Sequence, residues 1–285
     1  MQLILNSFIA GSIYALVTLG FNLIYSTTKF FNLAHGAMAT VGGYTVFYFS
    51  KTLGLNILLS VLFGLLVAGF VGYLTNKIVF KPLRKRGATN MVLIVASLGL
   101  LTAIESLIAI LFSSQFQTLS NNQVTQKLFH IFGGVVTQTQ ILIFISSIII
   151  MLGLMFVLKY TLFGSAVRAI SDDEEVAKVI GIDTDKILTI VFVVGSIIAG
   201  WSGILTGFDT GLTPILGMGL LLKGVISSIV GGVGRVGGGV LGAFMLGFVE
   251  NFGIWYISSE WKDAIAFGVL ILFLVFRPHG IFGKK

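Results

Sequence analysis

Met91–Phe112 reads MVLIVASLGLLTAIESLIAILF, twenty-two consecutive residues in which Glu105 is the only formal charge. At about 1.5 Å of rise per residue such a helix crosses the roughly 30 Å hydrocarbon core of a bilayer. Its apolar residues do not alternate with period two, so it is not a strand of a transmembrane barrel. On its N-terminal side lies 76–90, where Lys77, Lys81, Arg84, Lys85 and Arg86 occur without an acid and Pro82 interrupts helix continuation. A short basic loop of this kind marks the cytoplasmic side. On its C-terminal side, 113–140 is rich in Ser, Thr, Asn and Gln with Lys127 as its only formal charge, which suits an exterior loop.

Similar runs recur at 3–25, 32–49, 57–73, 140–158, 187–208, 216–233, 240–257 and 264–276. The segment 32–49 is dense in small residues and barely long enough to cross, so a discontinuous or packed-in helix is expected there. Eight or nine crossings follow, nine of them starting from an N-terminus outside. That topology puts fourteen Lys/Arg inside (29, 77, 81, 84, 85, 86, 159, 168, 178, 186, 235, 277, 284, 285) and three outside (51, 127, 262), with Lys223 in a span and the C-terminus cytoplasmic. The first run has no charged n-region or small-residue cleavage site, so a retained span is expected.

Composition agrees. Of 285 residues, 56% are hydrophobic and 10% charged, against about 25% charged in a soluble domain. A freely soluble protein is excluded, and the net charge of +7 sits in short loops, as orientation requires, rather than in a nucleic-acid face. The 36 glycines suit close helix contact in lipid. The expected fold is all-α: one polytopic helical bundle over 1–285, with a polar cytoplasmic segment at 159–186. No cysteine is present, so thiolate chemistry is absent.

Within that polar segment, Ser171 and Glu174 form a capping-box pattern, Asp172, Asp173 and Glu174 load the first turn, and Gly181 stands at the C′ position. A short helix is expected, with Val176, Val179 and Ile180 as an apolar stripe. The stripe either packs on the chain's own cytoplasmic ends or serves as a peg for a partner's groove.

Gly164-Ser-Ala-Val-Arg168-Ala169, followed by Asp173, Ala177 and Gly181-Ile182, resembles the cytoplasmic coupling segment of bacterial ABC importer permeases, in particular the LivH-type branched-chain amino-acid permeases. Asn6, Gly11, Tyr14-Ala-Leu16, Asn22-Leu-Ile24 and Asn32-Leu-Ala-His35-Gly36 are similar to the family's N-terminal stretch. Gly231-Gly-Val-Gly234, Gly238, Gly242, Glu250 and Arg277-Pro278-x-Gly280-x-Phe282-Gly283 match near the C-terminus. Ser7 and Ser26 depart from glycine, and Gly237 from proline, which loosens the expected turn before Val240.

The resemblance implies a non-catalytic permease subunit of the bacterial inner membrane. Its partners would be two ABC ATPase subunits carrying ATP and Mg, a second related permease or a copy of itself, and an extracytoplasmic solute-binding protein. It also implies that Gly164, Arg168, Ala169, Asp173, Glu175, Ala177, Gly181 and Ile182 couple to the ATPases, and that branched-chain amino acids are the solute. Same-fold permeases for nucleosides, urea or amides are the alternative.

Ionisable groups inside a bilayer are costly, about 2.5–3.5 kcal/mol at a helix centre on insertion scales. Glu105 could line a path, bond to a neighbouring helix, or serve as the proton site of an ion-coupled secondary transporter. Glu250 reads as an interhelical partner, and Lys223 as a side chain that snorkels to water. Asn32 is placed to cap a helix starting at Leu33, and Asn6, Asn22, Asn32, His35, Gly36, Glu105 and Glu250 are the pathway or hinge candidates. Gly232-Val-Gly-Arg-Val-Gly237 spells a dinucleotide fingerprint but joins two apolar runs, so a tight reversal is expected instead. Neither an ATP-binding P-loop nor a metal motif is present, and no catalytic residue is assigned.

Overall fold

The computed structural model of the chain describes residues 1–120, 128–131, 133–277 and 279–282. Among these, the order is α1 (Gln2–Thr28), α2 (Ala34–Phe47), α3 (Ile57–Leu74), α4 (Lys81–Lys85), α5 (Asn90–Phe112), β1 (Leu128–Ile131), β2 (Gly134–Thr137), α6 (Gln138–Tyr160), α7 (Leu162–Asp172), α8 (Glu174–Val179), α9 (Thr184–Asp209), α10 (Leu216–Gly231), α11 (Val236–Tyr256) and α12 (Lys262–Phe276). The all-helical expectation holds, and each apolar run of the sequence becomes a helix. Six are long and apolar enough to cross a membrane: α1, α5, α6, α9, α11, and the stretch Ile57–Lys85, in which a π-helical turn joins α3 to α4. The apolar runs expected to supply the remaining crossings form the shorter helices α2, α10 and α12.

Burial sorts the helices into an inner and an outer set. α1 is buried on all sides from Gly11 to Ile24 and packs on α9, α10, α11 and α6. A helix that is apolar all round belongs in such a place. α2 is the packed-in helix expected from its small residues, enclosed by α9, α3, α10 and α5. Its approach depends on glycine: a Cβ on Gly36 would stand 2.5 Å from the Gly217 carbonyl oxygen, and one on Gly42 would stand 2.6 Å from that of Gly200. Backbones in lipid pack this closely only where side chains are missing. Outward faces of α5, α6 and α12 carry exposed apolar side chains such as Val95, Ile110, Ile149 and Val275, the surface a hydrocarbon solvent requires.

The two ends of the bundle differ. At one, Gln2 brackets the Val135 backbone, accepting from its N–H at 2.8 Å and donating to its carbonyl at 3.0 Å, while Gln117 and Leu212 exchange backbone hydrogen bonds. Within the loop expected over 113–140, Leu128–Ile131 pairs with Gly134–Thr137 as antiparallel strands, a hairpin the sequence reading did not include. Lys127 lies outside the described residues.

The opposite, basic end holds α4, α7, α8 and the α10–α11 connection. There Asn22 accepts from Gly234 N at 3.1 Å and from the Ser228 hydroxyl, and donates to the Arg235 carbonyl at 3.3 Å. Gly232 and Gly234 turn with φ of 107° and 81°, the reversal expected from the glycine run. α11 begins at Val236, four residues ahead of the expected Val240, so Gly237 lies inside the helix and the turn is pinned by Asn22. The tail returns to this turn through Ile281 N and the Val230 carbonyl at 2.9 Å. Pro278, Gly283, Lys284 and Lys285 of the matched tail lie outside the described residues.

Two further readings are corrected. Asn32 does not cap: α2 starts at Ala34 after Leu33 in helical geometry, and the amide N–H of Leu33 is taken by Ser97 Oγ at 3.0 Å. Ser171 does not open the short polar helix. It belongs to α7, whose buried Val167 and Ile170 hold the helix against the body of the bundle, and Asp173 caps α8 instead.

Candidate functional site

Two places gather the polar residues, one at each end of the bundle. At the basic end, Asp173 adopts extended geometry and its Oδ1 accepts from Glu175 N at 2.8 Å and Val176 N at 3.0 Å. A carboxylate at an N-cap satisfies two otherwise free donors and suits the positive helix terminus. Gly181, at φ 89°, closes the other end: Ile182 N donates to the Ala177 carbonyl and Gly181 N to that of Lys178, a complete Schellman motif. Both termini of α8 are thereby fixed, and Glu174 pairs with Lys178 at 2.9 Å along its side.

The faces of α8 decide between the two readings of its stripe. Ala177 is 1% exposed and packs inward, whereas Val176, Val179 and Ile180 are 56%, 85% and 67% exposed. Among the described residues, therefore, the basic end of the bundle does not cover the stripe. Arg168, one turn before the end of α7, donates to the Leu158 carbonyl and, at 3.1 Å, to Ser165 Oγ, which fastens α7 to the end of α6. Gly164 lies against the Leu158 backbone, where a side chain would collide. Ala169 accepts from Asp173 N, Glu175 is exposed, and Ile182 is half-buried. Lys81 and Lys85 reach Asp185 at 3.0 and 3.6 Å, and Arg84 reaches Glu174 at 4.0 Å, so α4 grips the polar segment from the side.

At the hairpin end, a cavity of about 480 Å³ opens between α1, α6, α9, α10, α11 and α12. Ile9, Ile13, Leu216 and Leu220 form its apolar wall; Asn6, Asp209, Lys223 and Asp263 supply polar groups. Behind this wall is Glu250, which is fully buried and accepts from the Tyr14 hydroxyl at 2.6 Å and from Lys223 Nζ, with Lys262 Nζ at 3.8 Å. Lys223 also pairs with Asp263 at 2.7 Å. Its reading as a snorkelling side chain is corrected: Lys223 is 9% exposed and bonds to carboxylates on two neighbouring helices. Glu250 has the interhelical role expected of it. The sequence did contain the signal, since two opposite charges on consecutive apolar helices imply a pair.

The remaining candidates do not join either place. Asn22 belongs to the α10–α11 turn, and Gly36 to the contact with α10. His35 is buried with both ring nitrogens outside hydrogen-bond geometry, its ring against Gly20. Asn32 Oδ1 is likewise buried and unpaired among the described residues. Glu105, on α5, lines a separate cavity of about 370 Å³ with Thr102 and Thr213, and lies against the Met218 backbone. Sequence reasoning does not single out Tyr14, Asp209, Lys262 and Asp263 as site residues, because their chemistry arises only when six helices meet.

The family model described as branched-chain amino acid transport system / permease component matches residues 3–274. The high-affinity branched-chain amino acid transport system permease protein BraD of Pseudomonas aeruginosa is 28% identical over 296 residues, covering 100% of this chain and 96% of that protein. LivH of Escherichia coli K12, which bears the same description, is 28% identical over 299 residues with the same coverage. Among solved structures, PsaBC from Streptococcus pneumoniae in complex with Fab is similar in fold, with a TM-score of 0.54 at 14% identity, covering 99% of this chain and 94% of that one.

Proposed function

The chain belongs to the branched-chain amino acid transport system permease family, and from that premise we propose that it is the membrane-spanning subunit of an ATP-driven importer of leucine, isoleucine and valine. The observation that carries the mechanism is the uncovered stripe Val176, Val179 and Ile180 on a helix fixed at both ends. Two ATPase subunits, which hold the ATP and Mg, receive this stripe in a groove. A second permease chain, related or identical, completes the pathway, and a solute-binding protein delivers to the hairpin end. The N-terminus then faces outside and the basic end faces the cytoplasm, in keeping with the bias of Lys and Arg.

The ATPases differ in shape between their open and closed states, and α8 contacts them in both. Differential contact is what allows nucleotide to shift the balance between inward- and outward-facing bundles. Residues 159–186 transmit the shift: α8 is tied to α4 by Glu174, and the start of α9 is tied to α4 by Asp185, with α9 running on into the core.

The test is uptake by the complete assembly in proteoliposomes with ATP inside the cytoplasmic compartment. Leucine accumulation that needs ATP, with competition by isoleucine and valine but not by nucleosides or urea, supports the reading. Uptake by the lone chain driven by a pH gradient would replace it with a secondary transporter working through Glu105, and competition by nucleosides or urea would replace the solute.

A further inference from the structure

We propose that the cavity at the hairpin end receives an amino-acid zwitterion, and that Asp263 is an internal stand-in for the solute's carboxylate on Lys223. This rests on the importer reading above and adds the site and the atoms.

The two anions on Lys223 are not equivalent. Glu250 is fully buried and is held by Tyr14 as well, with Lys262 nearby. It cannot leave without stranding a charge. Asp263 is attached at the first turn of α12, and its side chain is 79% exposed. It can swing into water at little desolvation cost. The direction it vacates on the Lys223 ammonium faces the cavity, and a solute carboxylate fills it one charge for one.

The other end of the solute meets a different carboxylate. Once off Lys223, Asp263 turns to water, while Asp209, beside Gln140 and Lys262, presents its carboxylate to the same cavity from the end of α9. A solute bringing both a carboxylate and an ammonium leaves Lys223 and Asp209 both partnered. A neutral solute breaks the Lys223–Asp263 pair with no replacement. An apolar side chain meets Ile9, Ile13, Leu216 and Leu220 on the facing wall. A volume of about 480 Å³ lies within the range of roughly 300–1,000 Å³ usual for small-molecule sites.

The experiment measures binding of radiolabelled leucine to the purified permease–ATPase complex without the binding protein, and leucine uptake by the complete assembly. Leucinamide, which lacks the carboxylate, and 4-methylpentanoate, which lacks the ammonium, are the competitors. Asp263→Asn removes the internal competitor, so leucine should bind several-fold more tightly, the opposite of what loss of a structural ion pair would do. Asp209→Asn should weaken binding by about tenfold, the scale of one charge-assisted hydrogen bond. Both analogues should compete at least about tenfold less well than leucine. If the assembly imports leucine while Asp263→Asn and Asp209→Asn leave its binding and apparent KM unchanged, or if either analogue competes as well as leucine, this inference fails and the importer reading stands. If the unmodified assembly imports no leucine, the importer reading fails and this site's ligand with it.

Discussion

Lys223 on α10 donates to the carboxylate of Glu250 on α11, joining two helices that the sequence connects only by the short turn at Gly232–Arg235. Removing one member of a buried pair leaves the other uncompensated, typically at about 3–5 kcal/mol, whereas removing both is far less harmful. Lys223→Met should therefore lower the thermal midpoint of the detergent-purified chain by several degrees, and the double variant Lys223→Met/Glu250→Gln should recover most of the loss. A double variant as unstable as the single one would mean that an uncompensated Glu250 charge is not the cause of the loss.

Substitutions in α8 should separate by face. Val179→Asp changes an exposed position and should leave insertion and thermal stability within about 0.5 kcal/mol of the parent, while ATP-driven uptake and co-purification with the ATPases are lost. Ala177→Asp buries a charge against the bundle and should destabilise the chain itself. Only the first is a clean probe of docking; comparing melting curves with ATPase pull-down distinguishes the two.

Asp173→Ala removes a cap that accepts two backbone N–H groups and should cost α8 about 1 kcal/mol, with Asp173→Asn retaining most of it. ATPase rate per molecule of solute imported is the readout. It should rise in the alanine variant, because a frayed α8 transmits less of each cycle, and stay near the parent value in the asparagine variant.

Gly42→Val should be among the most damaging single changes, since its Cβ would strike the Gly200 backbone and force α2 from α9. Overpacking of this kind commonly costs about 1–3 kcal/mol. The yield of monodisperse protein and its thermal midpoint should both fall. By contrast Glu105→Gln should keep uptake, because among the described residues Glu105 forms no ion pair and its neighbours Thr102, Thr213 and the Met218 backbone are neutral. Loss of uptake with normal assembly would identify an essential ionisable group.

The helices were legible because lipid imposes a length and a composition on each crossing segment, and runs such as Met91–Phe112 satisfy both with one charge to spare. The ends of α8 were legible in part. Gly181 was read as its C-terminus from the rule that an αL position favours glycine, but Ser171 was taken as its start when Asp173 is. That boundary depends on Val167 and Ile170 holding α7 to the bundle, a tertiary effect with no local signature. The strands Leu128–Ile131 and Gly134–Thr137 are apolar runs about Gly133–Gly134 and carry a hairpin signal; it is hidden in the sequence because each run is only four residues long and is flanked by the polar stretch 113–127, and the pairing is stabilised from afar by Gln2. At the cavity, sequence reasoning singles out Asn6 and Glu250 but not Tyr14, Asp209 and Asp263, because their proximity comes from the crossing of six helices.

The account turns on whether α8 is held by another subunit. The chain contains no cysteine, so Val179→Cys places a single thiol at the most exposed point of the stripe. The decisive measurement is the rate at which this thiol reacts with a polymer-linked maleimide, in the lone chain and in the complete assembly. Strong protection in the assembly, with a bifunctional reagent joining the thiol to an ATPase subunit, is the predicted result. Equal labelling rates and no such crosslink would contradict it.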